Sequence, residues 1–223
     1  MPTANPQTIA IFGGTGQLGS ALALRWAYAG HRVLLGSRTA DKAQAAAVEL
    51  NAELGGAAIE GLSNLEAAAA ADIGLLAVEQ SAHAAALEAV REPLAGKILI
   101  DATARLSFPD LTPPAAPAAA QLAQQIVGQA VRVVAAFQTV PAAGLRKDIG
   151  QPVNSDVLVC AANPADAEAV ITLAGDAGLR GYYVGGLDKA IVVEGLTSLL
   201  VAMNKHYKSR HGAFRVAGIK ARP

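Results

Sequence analysis

The strongest restriction on the fold lies near the start of the chain, where an apolar run empties into a glycine-rich turn and then a helix. Thr8-Ile9-Ala10-Ile11-Phe12 leads into Gly13-Gly14-Thr15-Gly16-Gln17-Leu18-Gly19 and on into Ser20-Ala21-Leu22-Ala23-Leu24-Arg25. A strand without polar alternation needs cover on both faces, which a parallel sheet flanked by two layers of helices supplies. Glycines at 14, 16 and 19 match the dinucleotide fingerprint in its strand-turn-helix setting. The three glycines serve different ends. Gly14 makes the tight turn, Gly16 admits a pyrophosphate close to the backbone, and Gly19 lets the helix pack on the strand. The amides at the helix start then face the anion.

The same alternation continues along the chain. Short aliphatic runs at 8–12, 32–35, 57–61, 73–78, 98–101, 131–135, 157–161 and 181–184 predict strands, and alanine-rich segments at 18–29, 41–54, 65–70, 82–90 and 164–177 predict the crossover helices. The expected fold is therefore α/β, Rossmann-type and doubly wound, with a mainly parallel sheet. After Gly185-Gly186 the pattern changes to one long apolar helix over 188–206 and a basic tail over 208–223. Residues 1–186 thus read as the dinucleotide-binding domain and 187–223 as a small helical C-terminal unit. The proline-rich stretch 109–120 reads as a surface loop, because proline lacks an amide donor and fixes φ.

The end of the second predicted strand decides which dinucleotide is expected. A site for NAD usually places an acid there for the ribose hydroxyls, about 20 residues beyond the glycines. Here the sequence is Leu35-Gly36-Ser37-Arg38-Thr39, with Lys42 one turn into the next helix. Ser37, Arg38 and Lys42 offer a hydroxyl and two cations to a 2′-phosphate, so the expected cofactor is NADP(H). Each charge-assisted bond contributes about 1.5–3 kcal/mol, enough in combination for roughly a hundredfold preference.

Composition narrows the partners. Eighteen basic and eighteen acidic residues cancel, so no overall field recommends nucleic acid or an acidic membrane surface. The start has no basic and apolar leader pattern, and no apolar run reaches the roughly 18 residues of a membrane span, so a cytoplasmic location is expected. The single cysteine, Cys160, lies in an apolar run and reads as a small buried hydrophobe. Nothing suggests a nucleophilic triad, metal-ligand spacing or a Tyr-x-x-x-Lys pair.

Taken together, the residues resemble a known family, the NADPH-dependent reductases of the 8-hydroxy-5-deazaflavin coenzyme F420, or F420-dependent NADP oxidoreductases. The resemblance spans most of the chain and is carried by the Gly13 to Gly19 turn, Gly36-Ser37-Arg38, Ala71-Asp72-Ile73, the segment 133–143 and Val193-Glu194-Gly195-Leu196-Thr197. It implies hydride transfer between nicotinamide C4 and deazaflavin C5, with the two carriers stacked in a cleft between the Rossmann domain and the small C-terminal unit. No protein nucleophile is then required, since the carriers bring the chemistry and the protein positions them. By this resemblance Gly14, Thr15, Gly16, Gln17 and Leu18 would hold the pyrophosphate, and Ser37, Arg38 and Lys42 the 2′-phosphate. Val78, Glu79 and His83 would lie beside nicotinamide, and Gln138, Val140 and Pro141 would face the second carrier.

Three stretches depart from the family pattern. The loop after the fourth strand reads Val78-Glu79-Gln80 where a proline and a large aromatic are common. Gln138 stands where histidine is frequent, and Ala104-Arg105 replace Asn-Pro. These differences keep other NADPH acceptors open, such as a flavin, a ferric chelate, an imine or a carbonyl, alongside a module that senses NADP(H) without turnover. His83 also has a plainer reading as a helix-surface residue, and the cations of 204–211 as a solvated helix end. The predicted C-terminal helix is apolar on more than one face, so a homodimer built on that unit is expected.

Overall fold

The computed structural model describes residues 3–106 and 109–219. Eight strands form one sheet in the order β3-β2-β1-β4-β5-β6-β7-β8. They are β1 (Thr8–Phe12), β2 (Arg32–Ser37), β3 (Ile59–Ser63), β4 (Ile73–Leu76), β5 (Ile98–Asp101), β6 (Arg132–Ala135), β7 (Asp156–Ala161) and β8 (Arg180–Gly185). All neighbours pair in parallel except β6 and β7, which run antiparallel through only Val134 with Ala161 and Ala135 with Cys160. The chain winds outward from β1 to β3 and returns to β4 on the other side of β1. That reversal opens a crevice at the C-terminal ends of β1 and β4, where α/β sheets bind ligands.

Helices cover both faces: α1 (Gln17–Tyr28), α2 (Ala40–Leu54), α3 (Asn64–Ala70), α4 (His83–Val90), α5 (Ala119–Val127), α6 (Ala142–Leu145), α7 (Pro164–Asp176) and α8 (Ala190–His206). The pleat of β1 sorts its side chains between two cores. Ile9 and Ile11 join the core that also contains Ala21, Leu24 and Trp26 of α1 and Leu173 of α7. Ala10 and Phe12 join the opposite core, with Leu87 of α4, Ala123 of α5 and Val193 of α8. This two-sided burial is what the unbroken apolar strand required.

The doubly wound, mainly parallel sheet is as expected, and most elements start and stop within two residues of their predicted limits. Two helices, α5 and α6, are not announced by the sequence pattern. The segment 109–120 is a loop only in part, because α5 begins at Ala119 and residues Ala118 to Ala120 are fully buried. The predicted helix 188–206 is split into a 3-10 turn at Leu187–Lys189 and α8. Of the basic tail, the residues beyond 219 lie outside the described residues. Its described part is fastened to the start of β7, with the Asp156 amide donating to Phe214 O and Asp156 Oδ2 accepting from the Val216 amide.

One buried cation ties distant segments together. Arg25, in the last turn of α1, donates from Nε to Leu145 O at 2.5 Å, from Nη1 to Gln151 O and Ala177 O, and from Nη2 to Lys147 O and Asp148 O. Burial lowers its pKa, and the nearby Asp148 charge opposes that shift. Replacing it with methionine strands the buried carbonyls of Leu145 and Ala177 without donors. Arg25→Met is expected to cost about 3 kcal/mol, read as a lower urea midpoint at unchanged slope; a loss below about 1 kcal/mol would mean that water satisfies those carbonyls instead.

Candidate functional site

The glycine turn joins β1 to α1 at the mouth of the crevice. Gly13 has φ +86°, and a Cβ there would overlap the Ala77 carbonyl, so the turn and the loop after β4 are in direct contact. The left-handed residue is Gly13, and Gly14 follows it inside the turn that the Gly16 amide closes on Gly13 O. At Gly19 a Cβ would come 2.8 Å from Gly13 O and 2.9 Å from Gly14 Cα, so the helix rests on the turn as expected. Gly16 donates its amide to Gly13 O, and the first helical bond runs from the Ser20 amide to Gly16 O. The amides of Gln17, Leu18 and Gly19 have no acceptor among the described residues, Gly16 supplies no side-chain cap, and the first turn holds no acid. An open, uncapped helix start with exposed Thr15, Gly16 and Gln17 fits a pyrophosphate.

At the end of β2, Ser37 Oγ accepts from the Thr39 amide at 3.4 Å. Arg38 and Lys42 are exposed and form no ion pair or hydrogen bond among the described residues. Two uncommitted cations and a hydroxyl therefore stand together at the end of β2 and the start of α2. Val78 is half-buried and Glu79 exposed in the loop after β4.

His83 departs from its surface reading. It is only 6% exposed and its Nε2 lies 2.8 Å from Asp101 Oδ2 at the end of β5. Beside it, Gln138 is also buried: its Nε2 donates to Asp101 O at 2.9 Å, and its main-chain oxygen accepts from Thr197 Oγ1 of α8 at 3.1 Å. Gln138 is aimed by the preceding residue. Phe137 adopts φ +72°, costly for a bulky side chain, and is pinned by an edge-on contact with Trp26 at 5.9 Å between ring centres. Val140 closes the turn by donating its amide to Phe137 O, and Pro141 caps the short α6.

The structure thus brings the sequence-predicted residues to the C-terminal ends of β1, β2, β4 and β6. Gln138 Oε1, Thr139 Oγ1 and Thr103 Oγ1 are sealed without partners on the neighbouring loops after β5 and β6.

Sequence reasoning alone does not find Asp101 and Glu194 as contributors. Each is a lone acid in an apolar stretch, Ile98-Leu99-Ile100-Asp101 and Ile191-Val192-Val193-Glu194, and that is the available signal. Glu194 is fully buried on α8. Its Oε1 accepts from the Ala119 amide at 2.5 Å, capping α5, and its Oε2 accepts from the Arg105 amide at 3.4 Å, with Arg105 Nε 3.5 Å away.

A family model described as NADP oxidoreductase, coenzyme F420-dependent, matches residues 8–105. The F420-dependent NADP reductase of Methanothermobacter thermautotrophicus is 35% identical over 95% of each chain. That of Methanocaldococcus jannaschii is 34% identical over 95% of this chain and 99% of its own. The chain belongs to the F420-dependent NADP reductase family. Among solved structures, a protein described as a putative F420-dependent NADP reductase, from Arthrobacter sp. FB24, superposes with a TM-score of 0.80 at 26% identity, covering 95% of this chain and 99% of its own. The relatives match most of the chain, well beyond residues 8–105.

Burial raises the Glu194 pKa above the ordinary carboxyl value of 4.5; the amides of Ala119 and Arg105 and the Arg105 charge oppose the shift, and the Asp101 charge adds to it. The folded state therefore holds this proton more tightly than the unfolded chain. Its stabilising contribution is complete below the unfolded value and is lost as pH rises through the folded one. The stability of wild type relative to Glu194→Gln, from urea unfolding at a series of pH values, is expected to fall as pH climbs above about 4.5. A difference that stays flat would contradict the assignment.

Proposed function

We propose that the chain is an oxidoreductase that passes hydride between NADP(H) and the deazaflavin coenzyme F420. The observation that carries this reading is the open start of α1 with Arg38 and Lys42 uncommitted beside it, in a chain whose relatives bear the name F420-dependent NADP reductase. When bound, nicotinamide supplies a hydride at C4 and the deazaflavin takes it at C5. The protein supplies binding and alignment. Gly14, Thr15, Gly16, Gln17 and Leu18 hold the pyrophosphate, and Ser37, Arg38 and Lys42 hold the 2′-phosphate. Val78, Glu79 and His83 border nicotinamide, while Gln138, Val140 and Pro141 border the deazaflavin. Burial of Gln138 and its two fixed hydrogen bonds give the acceptor wall a set geometry, and alignment of two carriers in a dry cleft is itself a large rate factor.

The reading is tested by mixing the purified chain with NADPH and oxidised F420 and following loss of the deazaflavin absorbance. Bleaching is expected with NADPH, and Arg38→Ala is expected to weaken NADPH by about ten- to a hundredfold while leaving NADH unchanged. Intact NADPH binding without bleaching would exclude F420 as the acceptor and leave a flavin, a ferric chelate, an imine or a carbonyl as the alternatives.

We infer further that the chain works as a homodimer through the C-terminal unit, residues 187–223. Val192, Leu199 and Met203 are 64%, 52% and 51% exposed and share one face of α8 by their spacing, while the opposite face lies on α5. A second copy would cover that stripe. Light scattering at micromolar concentration is expected to give twice the chain mass, and a uniform monomer would overturn the dimer. The other partners are small-molecule carriers; nucleic acid has no part in this reading, and the cytoplasm is its proposed location.

A further inference from the structure

Three loops that line the cleft are fastened to one residue. Asp101 is wholly buried at the end of β5. Its Oδ2 meets His83 Nε2 at 2.8 Å, its Oδ1 accepts from the Thr103 amide at 2.9 Å, and its main-chain oxygen accepts from Gln138 Nε2 at 2.9 Å. The ends of β4, β5 and β6 are thereby held in register beyond the sheet itself.

The contact with His83 fixes more than position. An ionised carboxylate only accepts hydrogen bonds, so the hydrogen between the two groups sits on Nε2. The other ring nitrogen, Nδ1, then carries a lone pair when the ring is neutral. Nδ1 makes no hydrogen bond among the described residues, yet it is absent from the unpartnered atoms that are sealed from solvent. A mostly buried ring thus offers a single open acceptor.

The place of that acceptor points to its ligand. The loop after β4 touches the glycine turn at Gly13, and β4 lies between β1 and β5 in the sheet. A dinucleotide whose pyrophosphate rests on α1 reaches the ends of β4 and β5 with its nicotinamide, and Gln138 lies one strand farther, on the acceptor side. The nicotinamide carboxamide carries N–H donors that need an acceptor once water is excluded.

We propose that Asp101 is a positioning residue that locks His83 as the Nε2–H tautomer, so that Nδ1 accepts a hydrogen bond from the nicotinamide carboxamide of bound NADP(H). The proposal rests on the reading that the cleft holds this dinucleotide. In Asp101→Asn the side-chain amide can donate to Nε2 and moves the ring hydrogen to Nδ1, which then confronts the carboxamide with a donor instead of an acceptor.

Two measurements on the wild-type protein decide the matter, with a variant needed only to assign one signal. Long-range 1H–15N correlation spectra of the neutral imidazoles, with His83 assigned by its loss in His83→Gln, are expected to show Nε2–H. Titration calorimetry is expected to show NADP+ binding about five- to tenfold more tightly than its 3-acetylpyridine analogue, which keeps the carbonyl and lacks the N–H. Asp101→Asn is expected to shift the ring to Nδ1–H and abolish that preference, with no further change in the preference when added to His83→Gln. A purely structural role for Asp101 would weaken both nucleotides alike and leave their ratio intact. An Nδ1–H ring or equal affinities in wild type would overturn the proposal. Failure of wild type to bind NADP+ at all would instead overturn the reading of the cleft on which it rests.

Discussion

The arrangement depends on how near α1 comes to the end of β1. The helix leans on its own turn at Gly19, close enough that one methyl group would strike Gly13 O and Gly14 Cα. That proximity leaves the amides of Gln17 and Leu18 at the crevice instead of behind a side chain. It also sets the turn against Ala77, so the glycine loop and the loop after β4 form one surface. Overpacking at such a point costs about 1–3 kcal/mol and moves backbone rather than side chains, which here means moving the anion site itself.

The nucleotide half of the cleft is legible in the sequence because its information is local. Strand, turn and helix follow one another within Thr8 to Tyr28, and spacing alone places Ser37 and Arg38 at the end of the next strand. Chain order also predicts most of the sheet, since β-branched runs alternating with alanine-rich helices leave few parallel solutions. Spacing places Gly14 in the turn, where it lies between Gly13 O and the Gly16 amide that closes it, but it does not show that Gly13 takes the left-handed conformation. Gly13 also faces the Ala77 carbonyl, a long-range contact that spacing does not carry.

The acceptor half is less legible because its key contacts are long-range. Asp101 meets His83 across 18 residues and Gln138 across 37, and Glu194 caps α5 across 75. A histidine after a strand looks like a surface residue until the carboxylate that shields it is seen. Helix α5 is hidden for a related reason. Its cap comes from α8, while its own N-terminal flank, Pro117-Ala118, carries no hydroxyl or acid to signal a start. The unusual backbone of Phe137 likewise depends on Trp26, far away along the chain.

Helix α1 serves the two halves at opposite ends. Its first turn faces the anion site, and its last turn sends Arg25 into the carbonyls of the segment 145–151, which continues from the Gln138 turn through α6. Its 12 residues make a rod of about 18 Å, stiffened by burial along most of its length. Such a rod sets the distance between the glycine turn and the far loop. The glycine turn and the segment 145–151 therefore hang on the two ends of a single helix.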